Sequence, residues 1–332
     1  MRKIILLLIL AACQNDSDPC TYFQGRAMTM PYRITVGKKL SAIEKKKVWQ
    51  IIEKTFQEVD DHFNNWNPNS EISRLNQLEA NKPASLSPSL QELLAFCGKI
   101  VEISGGRFDP TIGKLEKIWR ESLREKRAPS AEELQLATDA VGWKHVALKN
   151  GQFQKDNPDI SIDLCAISKG RCIDWIVERL QKEGFNDLFV EWAGEIRASG
   201  EYPEKRDWTV QVDPGLTMDG KPMAPIALRN AAIATSGDYS QGGWTLPADA
   251  APDHQIHRYF HIIDPLTAQP LEKTNYSIAA AVVIAPTCWL ADALATAAML
   301  FPGREEAEKW AEEVVELYPE VSFWILSYTV PK

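Results

Sequence analysis

The sequence predicts an α+β protein, because strand-like and helix-like segments follow one another without the regular alternation of a doubly wound sheet. The chain has 332 residues, 45% hydrophobic and 25% charged, which is the composition of an ordinary globular protein. This length is sufficient to bury one large core or two fused lobes. No internal repeat or linker-like stretch divides the chain, so we expect one folded unit.

The N-terminal half contains one predicted strand and three predicted helices. Residues 32–36 alternate as a strand does, whereas residues 41–62 space their apolar side chains as a helix does. A second helix begins after the N-cap residue Ser87 and ends near residue 104, before two glycines. Residues 131–141 are predicted as a third helix, and residues 64–70 as a turn-rich loop.

The C-terminal half adds most of the strands. Residues 161–164 resemble a strand end and lead into a helix over residues 169–183. Further strands are predicted at residues 189–191, 208–212, 227–235 and 276–285. Pro286 and Thr287 precede a helix that runs to about residue 300, and residues 305–314 are predicted as the last helix.

The N-terminus has the features of an export signal. Three residues that include two charges precede an apolar run at residues 4–12, which is too short for a permanent membrane span. The residues before Cys13 resemble the bacterial lipobox, which predicts a signal peptide at residues 1–12, a lipid anchor on Cys13 and a tether at residues 13–24. The protein would then face the periplasm or cell exterior, and Gln14 after the cysteine favours the outer membrane where a cell has two. The alternative is an ordinary cleaved signal peptide with an incidental cysteine.

Charge and cysteine spacing exclude some partners and sites. The formal net charge of −8 argues against a nucleic-acid partner, because phosphate binding needs a clustered basic surface. The six cysteines include Cys13 and show no C-x-x-C or metal-type spacing. Export permits a disulfide, but no pairing is specified, so the other cysteines are interpreted as small buried hydrophobic residues.

Asp292 and Thr296 are candidates for a metal site. They lie four residues apart in a predicted helix of small residues, which places both oxygen-bearing side chains on one face. Mg²⁺ prefers oxygen ligands and commonly takes only one or two carboxylates from protein, with phosphate and water completing its shell. Spacing alone favours a structural interpretation, since an Asp near a helix start complements the dipole and a helical Thr often bonds its own backbone.

Lys169 and His261 are further candidates. A lysine at a helix start adds charge to a terminus that is already positive, unless an anion lies nearby. The sequence leaves open whether that anion is a bound phosphate or carboxylate, or whether Lys169 pairs with Asp163 or is solvated. His261 follows a predicted strand; a lone histidine is more often structural, but it also suits proton transfer near neutral pH. The polar turns at residues 106–111 and 234–239 either present backbone donors or are structural only.

Taken in order, the motifs of the chain resemble those of the ApbE family of FAD:protein FMN transferases over nearly the whole mature chain. The succession is G-x-x-M, N-P-x-S-E-I-S-x-L-N, G-x-F-D-P-T-x-G-x-L, I-D-L-x-x-I-x-K-G, G-E-I-R-A-x-G, T-S-G-D-Y, H-I-I-D-P and A-D-A-L-A-T-A. Each motif is modest alone, but the ordered set is highly specific. The resemblance implies a single T-fold-like α+β unit at residues 25–332, with FAD in a cleft between two lobes.

The resemblance also implies roles for individual residues. The family's Mg²⁺ site falls at Asp292, Thr296 and the main chain near Ala166 and Ala295. The family's FAD contacts fall at Met28, Trp66, Arg107, Phe108, Asp109, Asp163, Lys169 and Ile262. Trp66 would offer a flat ring for stacking on isoalloxazine or adenine, and Lys169 would meet the pyrophosphate or nearby polar groups.

The implied activity is Mg²⁺-dependent transfer of FMN from FAD to a Thr or Ser hydroxyl of an exported acceptor protein, with release of AMP. His261 is the candidate for deprotonating that hydroxyl, and Asp264 for orienting His261 or the adjoining turn. Two alternatives stay open: an FAD pyrophosphatase of the same fold, in which water replaces the hydroxyl, and a flavin-binding or solute-binding lipoprotein without chemistry. The metal pair with His261 favours an enzyme over a passive binder.

The chain departs from the family's pattern at four places where glycine is usual. Thr29 follows Met28 in place of Gly, Ala193 occupies the first position of a Gly-Gly pair, and Ala268 follows D-P-x-T. Cys165-Ala166 stands in a commonly Gly-rich place. A β-branched residue cannot approach a ligand as closely as Gly, so we expect FAD binding in a cleft of altered shape.

Overall fold

The computed structural model describes residues 18–212, 217–218, 221–222, 224–237, 243–274 and 277–327, which form eight α-helices, a 3₁₀ turn and seventeen strands. The helices are α1 (Ala42–His62), α2 (Glu71–Asn76), α3 (Pro88–Ile103), α4 (Gly113–Arg124), α5 (Ala131–Thr138), α6 (Ser168–Lys182), α7 (Cys288–Met299) and α8 (Arg304–Leu317), with the 3₁₀ turn at Trp143–His145. The strands are β1 (Thr21–Ala27), β2 (Met30–Val36), β3 (Ala84–Ser85), β4 (Val146–Lys149), β5 (Gln152–Lys155), β6 (Leu188–Trp192), β7 (Glu195–Ser199), β8 (Trp208–Val210), β9 (Thr217–Met218), β10 (Lys221–Pro222), β11 (Ile226–Leu228), β12 (Ala231–Gly237), β13 (Trp244–Leu246), β14 (His257–Asp264), β15 (Gln269–Glu272), β16 (Ile278–Ala285) and β17 (Ser322–Ser327). The predicted signal peptide, Cys13 and residues 14–17 lie outside the described residues.

A seven-stranded antiparallel sheet forms the centre of the fold, in the order β1-β2-β6-β7-β12-β16-β17. Its strand β16 is buried at every residue except Ile284, which is half-buried. A strand that is covered on both faces has a continuous apolar run instead of strict alternation, and the sequence of β16 has this form. The sheet therefore has protein on both sides.

The buried apolar side chains form three cores, two of which lie against this sheet. On one face, α7 packs against β12 and β16, α6 packs against α7 and β7, and α1 packs against α6, forming the main core. The paired strands β8 and β11 cover part of the other face, where Trp208 and Leu228 enter a second core. A third core lies between α4, α5 and the three-stranded sheet β13-β14-β15. The predicted single α+β unit is confirmed.

Most predicted helices form where their local signals place them. α1 begins after Ser41, whose side chain forms a reciprocal capping box with Glu44. α3 begins after Ser87 with Pro88 as its first residue, and α6, α7 and α8 lie within a few residues of their predicted bounds. None of the helices formed by the described residues combines the length and the apolar character that crossing a membrane requires.

Three predictions of local structure were wrong. The predicted tether extended to residue 24, but β1 begins at Thr21 and the Phe23 side chain packs in the main core. The alternation of buried and more exposed residues in β1 is short and directly follows a polar stretch, so the sequence alone did not reveal this strand. Residues 161–164 form one isolated bridge, from Ser161 to Ile112, and no strand. Two backbone hydrogen bonds, to Pro110 and Gly113, and asparagine side chains hold this segment instead of a continuous strand pairing. The strand predicted at residues 227–235 is divided into β11 and β12, because the backbone turns at Asn230 with φ of 51°.

Two helices and one cysteine also differ from expectation. Neither α2 nor α4 was predicted, although Leu115, Trp119 and Leu123 recur at helical spacing and form the buried face of α4. Cys20, Cys97, Cys172 and Cys288 are buried, as predicted, and all four are free thiols. Cys165 is instead exposed, because it lies in the loop that precedes α6.

Candidate active site

The candidate site lies where the N-terminal ends of α6 and α7 meet. A Cβ atom on Gly170 would lie 2.5 Å from the carbonyl oxygen of Cys288, so only glycine permits this approach. Asp174 of α6 accepts hydrogen bonds from the first two N–H groups of α7 at 2.9 and 3.0 Å, and it pairs with Arg197 at 2.6 Å. Asp174 thereby caps a helix that has no side-chain cap of its own. The start of α7 is fixed directly against α6.

Lys169 and two carboxylates form the polar centre of this junction. The Lys169 Nζ lies 3.5 Å from Asp292 Oδ1 and 3.4 Å from Glu195 Oε1, and it donates to the Cys165 carbonyl over 2.8 Å. The other Asp292 oxygen accepts the backbone N–H of Gly170 at 3.1 Å. The anion near Lys169 is therefore a pair of carboxylates from this chain, and neither of them is the Asp163 considered from the sequence.

Burial and mutual interaction shift the pKa of all three groups. Burial raises the pKa of Asp292, while Lys169 and the Gly170 N–H oppose that rise. Burial also raises the pKa of Glu195 to about 8, with Lys169 lowering it and Asp292 raising it further. Burial alone would lower the pKa of Lys169, but Asp292 and then Glu195 outweigh it and hold this pKa above its usual range. With a pKa near 8, Glu195 is largely protonated at neutral pH, so Asp292 is the carboxylate that balances the Lys169 ammonium, and Glu195 adds negative charge only at higher pH.

Oxygen donors that suit a hard cation lie on the face of α7 that carries Asp292. Asp292 is buried, and Thr296, one turn further on, has its hydroxyl 3.1 Å from the Ser236 hydroxyl on β12. Ala295 is buried between them in α7, and Ala166 is half-buried in the loop before α6. Among the described residues no group of three His, Cys, Asp or Glu side chains is arranged to hold a metal alone. Main-chain oxygens, water or a substrate phosphate would have to complete the shell, a coordination common for Mg²⁺.

Two asparagines hold the loop that leads into α6. Asn76 exchanges two hydrogen bonds with the backbone of Ile162, at 2.7 and 2.9 Å. Asn65 donates to the Ile162 carbonyl and accepts the N–H of Leu164 at 3.3 Å. Asp163 is half-buried in this loop, where its carboxylate accepts the Cys165 N–H at 2.7 Å and its own N–H donates to Pro110 at 2.7 Å. The loop before α6 is thus hydrogen-bonded through Asn65 to the turn that contains Trp66, and through Pro110 to the segment after α3.

The segment after α3 contains the predicted flavin contacts Arg107, Phe108 and Asp109. The Asp109 carboxylate accepts from the N–H and hydroxyl of Thr111 at 2.8 and 2.6 Å and from the Trp143 N–H at 2.8 Å. Burial raises the pKa of Asp109 and these bonds oppose the rise. Phe108 packs in the main core, and Arg107 donates to the Leu300 carbonyl at 2.9 Å. Asp109 and Phe108 therefore shape the loop, and Arg107 joins it to the end of α7.

Met28 and Trp66 lie on two turns. Met28 is half-buried against the main core in the turn between β1 and β2, where its φ is 46°. Trp66 is 66% exposed, and its backbone N–H donates to the side-chain oxygen of Asn64 at 3.0 Å. The guanidinium of Arg120 lies 4.5 Å from the centre of the Trp66 ring.

The predicted catalytic residues lie on β14, in the three-stranded sheet. His261 is exposed, whereas Ile262 and Asp264 are buried. Asp264 accepts the Leu266 N–H at 2.9 Å and its carbonyl accepts the Ala268 N–H at 2.9 Å, so it holds the turn between β14 and β15. Asp264 also lines a cavity of about 320 Å³ between this hairpin and the C-terminal end of α7. Asp238 and Tyr239 of the T-S-G-D-Y turn lie outside the described residues.

Sequence reasoning missed several residues of this arrangement. Glu195, Ser236 and Asn76 each belonged to a motif, but nothing in the motif distinguished their side chains as contacts of Lys169, Thr296 or the loop before α6. Asp174 had no motif signal, because a cap supplied by another helix leaves no local pattern. These contacts arise only when distant segments come together.

The fold and the site define a class of protein: an α+β unit on one antiparallel sheet, with a buried aspartate and a lysine where two helices meet. The model of the ApbE family matches residues 28–318, and the chain belongs to this family. A Chlamydia muridarum protein named FAD:protein FMN transferase is 37% identical over 93% of each chain, and one from Chlamydia pneumoniae is 36% identical over 94% of each. The solved structure of flavin transferase ApbE from Vibrio cholerae has a TM-score of 0.80 at 27% identity, covering 93% of this chain and 94% of that one.

Proposed function

We propose that this chain transfers the FMN half of FAD to a Thr or Ser hydroxyl of an acceptor protein and releases AMP. The observation that carries the proposal is the Lys169–Asp292 pair at the junction of α6 and α7. It lies in a chain that shares more than a third of its residues with relatives named for this activity. A buried carboxylate beside a lysine is a suitable place for a cation–pyrophosphate complex.

Asp292 and Thr296, with main-chain oxygens near Ala166 and Ala295, would hold Mg²⁺. When bound, Mg²⁺ neutralises charge on the pyrophosphate and on the departing AMP. The residues fit this ion because their donors are oxygens, and because each carboxylate oxygen of Asp292 has a single protein partner, the Gly170 N–H on one and the Lys169 ammonium at 3.5 Å on the other, which leaves lone pairs for a cation. Lys169 adds a positive charge at the same place.

The remaining predicted contacts would position FAD. Trp66 supplies an exposed ring for stacking, while Met28 and Ile262 supply apolar contacts. Asp163 and Arg107 contribute polar groups near the loop before α6 and near the end of α7. Phe108 and Asp109 act through the loop that they hold, since both are buried and the Asp109 carboxylate is already hydrogen-bonded within the protein.

His261 would accept the proton of the acceptor hydroxyl. As that proton moves to His261, the hydroxyl oxygen bonds to the FMN phosphorus, and the bond from this phosphorus to the AMP oxygen breaks. Exposure of His261 supports this role, because a protein acceptor must reach it. Asp264 positions the turn that follows, through its bond to Leu266.

The proposal extends to location and partner. The lipobox-like sequence before Cys13 supports a lipid-anchored, exported protein, with the outer membrane favoured in a cell that has two membranes. An exported redox protein is then the acceptor. Mass spectrometry of the protein purified from membranes would test this, and an unmodified N-terminus that retains residues 1–12 would contradict it.

The test of function uses the soluble domain with FAD, Mg²⁺ and an acceptor that carries a flavinylation motif. Covalent flavin fluorescence on a denaturing gel, together with AMP, is expected. Asp292→Ala should abolish labelling and weaken Mg²⁺ binding, while Lys182→Ala, an exposed change on α6, should leave both unchanged. FMN and AMP without labelled protein would indicate an FAD pyrophosphatase, and FAD binding without turnover would indicate a passive flavin-binding protein.

A further inference from the structure

The Trp66 indole is exposed, although its backbone is firmly placed. Its N–H donates to Asn64 Oδ1, and the next residue back, Asn65, is bonded to the backbone of Ile162 and Leu164. Two-thirds of the Trp66 surface nevertheless faces solvent. A large aromatic side chain on a fixed backbone, beside the loop that leads into α6, is placed to receive a flat ligand.

Arg120 covers one face of this indole. Its guanidinium lies 4.5 Å from the ring centre, and its Nη1 lies 2.7 Å from Glu116 Oε1, one turn earlier on α4. Burial and then the nearby Asp163 carboxylate raise the pKa of Glu116 to about 7, while Arg120 opposes this rise. The arginine is therefore held between a carboxylate and a ring, close to the loop that contains Asp163.

We propose that Arg120 is a positioning residue, which fixes one face of the Trp66 indole so that the opposite face stacks on a flat ring of FAD. The inference rests on the FAD binding proposed above. The two rings of FAD, isoalloxazine and adenine, share the flat aromatic surface that this arrangement recognises.

Two physical effects support this role. A guanidinium stacked on an indole restricts the rotamers of both side chains, so less conformational freedom is lost when a ligand stacks on the free face. The ion pair with Glu116 offsets the charge of Arg120 and engages its Nη1. Arg120 thus contacts both the Trp66 ring and the Glu116 carboxylate. We therefore expect its contribution to FAD affinity to come from ring stacking rather than from attraction of the FAD phosphates.

The test compares Arg120→Met with Arg124→Met, which removes the same charge from an exposed position one turn further along α4. Arg120→Met should weaken FAD binding about fivefold, the size of a moderate cation–π contribution, and raise KM for FAD while leaving kcat nearly unchanged. Arg124→Met should leave FAD binding unchanged. Arg120→Lys should recover part of the lost affinity, since it keeps the charge without the flat group.

Uncharged probes separate the sources of the effect. Riboflavin carries only the isoalloxazine and adenosine only the adenine, so the probe whose affinity falls in Arg120→Met identifies the stacking ring. Unchanged affinity of Arg120→Met for FAD would overturn the inference, as would a loss seen only for inorganic pyrophosphate. If Arg120→Met fails to fold, Arg120→Lys and Glu116→Gln supply the same comparison. Wild-type protein that binds no FAD would instead overturn the proposed function.

Discussion

The backbone N–H of Gly170 donates to the Asp292 carboxylate over 3.1 Å, and this bond joins the first turn of α6 to α7. The same residue allows the two helices to approach, because a Cβ atom there would lie 2.6 Å from the Cys288 carbonyl carbon and from the Cα of Trp289. Close packing and orientation of the carboxylate therefore depend on one position. Lys169 and Gly170, the K-G pair of the motif, therefore both contact Asp292, Lys169 through its ammonium group and Gly170 through its backbone N–H.

Gly170→Ala should consequently harm both stability and the site. The added methyl group meets backbone atoms, which cannot rotate away, so we expect a loss of about 2–3 kcal/mol in the free energy of unfolding. Urea unfolding measures this loss, and calorimetric titration with Mg²⁺ in the presence of FAD should show weaker binding. Lys182→Ala, exposed on the same helix, is the control. Wild-type stability in Gly170→Ala would contradict the close approach.

Three of the four places where this chain lacks a family glycine have a left-handed backbone. The φ angles are 70° at Thr29, 58° at Ala193 and 58° at Ala268. Only glycine adopts such angles without steric cost, which gives a physical reason for the family's preference. Cys165 and Ala166 are not among the residues with positive φ, so the fourth departure has a different basis.

Thr29→Gly should therefore stabilise the protein. A β-branched residue in the left-handed region costs about 1–2 kcal/mol, and glycine relieves this at some cost in the entropy of the unfolded chain, so we expect a net gain of about 1 kcal/mol. Thermal unfolding measures the gain. Thr35→Gly, on the neighbouring strand with regular strand geometry, should destabilise instead. A lower melting temperature for Thr29→Gly would show that the hydroxyl or methyl group of Thr29 makes a compensating contact.

The sequence predicted the helices with strong local signals and placed Asp292 and Thr296 on one helix, α7, and it did so for physical reasons. Ser41 with Glu44 and Ser87 with Pro88 mark helix starts through bonds within one turn, so their pattern is visible locally. The spacing of Asp292 and Thr296 likewise needs only one helix. The partners of these residues could not be predicted, because Gly170, Ser236 and Glu195 come from segments far away in the chain.

Glu195→Gln tests the sharing of Lys169 between two carboxylates. In the wild type the ammonium lies 3.4 Å from Glu195 and 3.5 Å from Asp292. Because the pKa of Glu195 is about 8, the substitution removes a charge only at higher pH, where it leaves Lys169 to compete with a divalent cation for Asp292. Mg²⁺ affinity should therefore fall about tenfold at about pH 9, equivalent to roughly 1.4 kcal/mol, and change little at about pH 7. Titration calorimetry with Mg²⁺ and FAD at the two pH values measures this, with Glu191→Gln on the same hairpin as control. Unchanged Mg²⁺ affinity at the higher pH would refute the competition.

His257 gives β14 a pH-dependent contribution to stability. Its Nε2 lies 2.9 Å from Asp253 Oδ1 and its Nδ1 lies 2.7 Å from Glu272 Oε1, and these carboxylates, Asp253 first, raise the pKa of His257 above 6.5. Because the folded pKa exceeds the unfolded one, the stabilisation is complete below the unfolded pKa and is lost as pH rises through the folded pKa.

His257→Gln should therefore be less stable than wild type at about pH 5.5, and the two proteins should converge by about pH 9. The difference at the acid end should be about 1 kcal/mol or less, since the cluster lies near the surface. Urea unfolding across this pH range provides the measurement. In an Asp253→Asn/Glu272→Gln background, the same substitution should show no such pH dependence, because the charges that raise the pKa are gone. A difference that stays constant with pH would place the effect of His257 in its ring contact with Tyr259, whose centroid is 6.0 Å away, rather than in its charge.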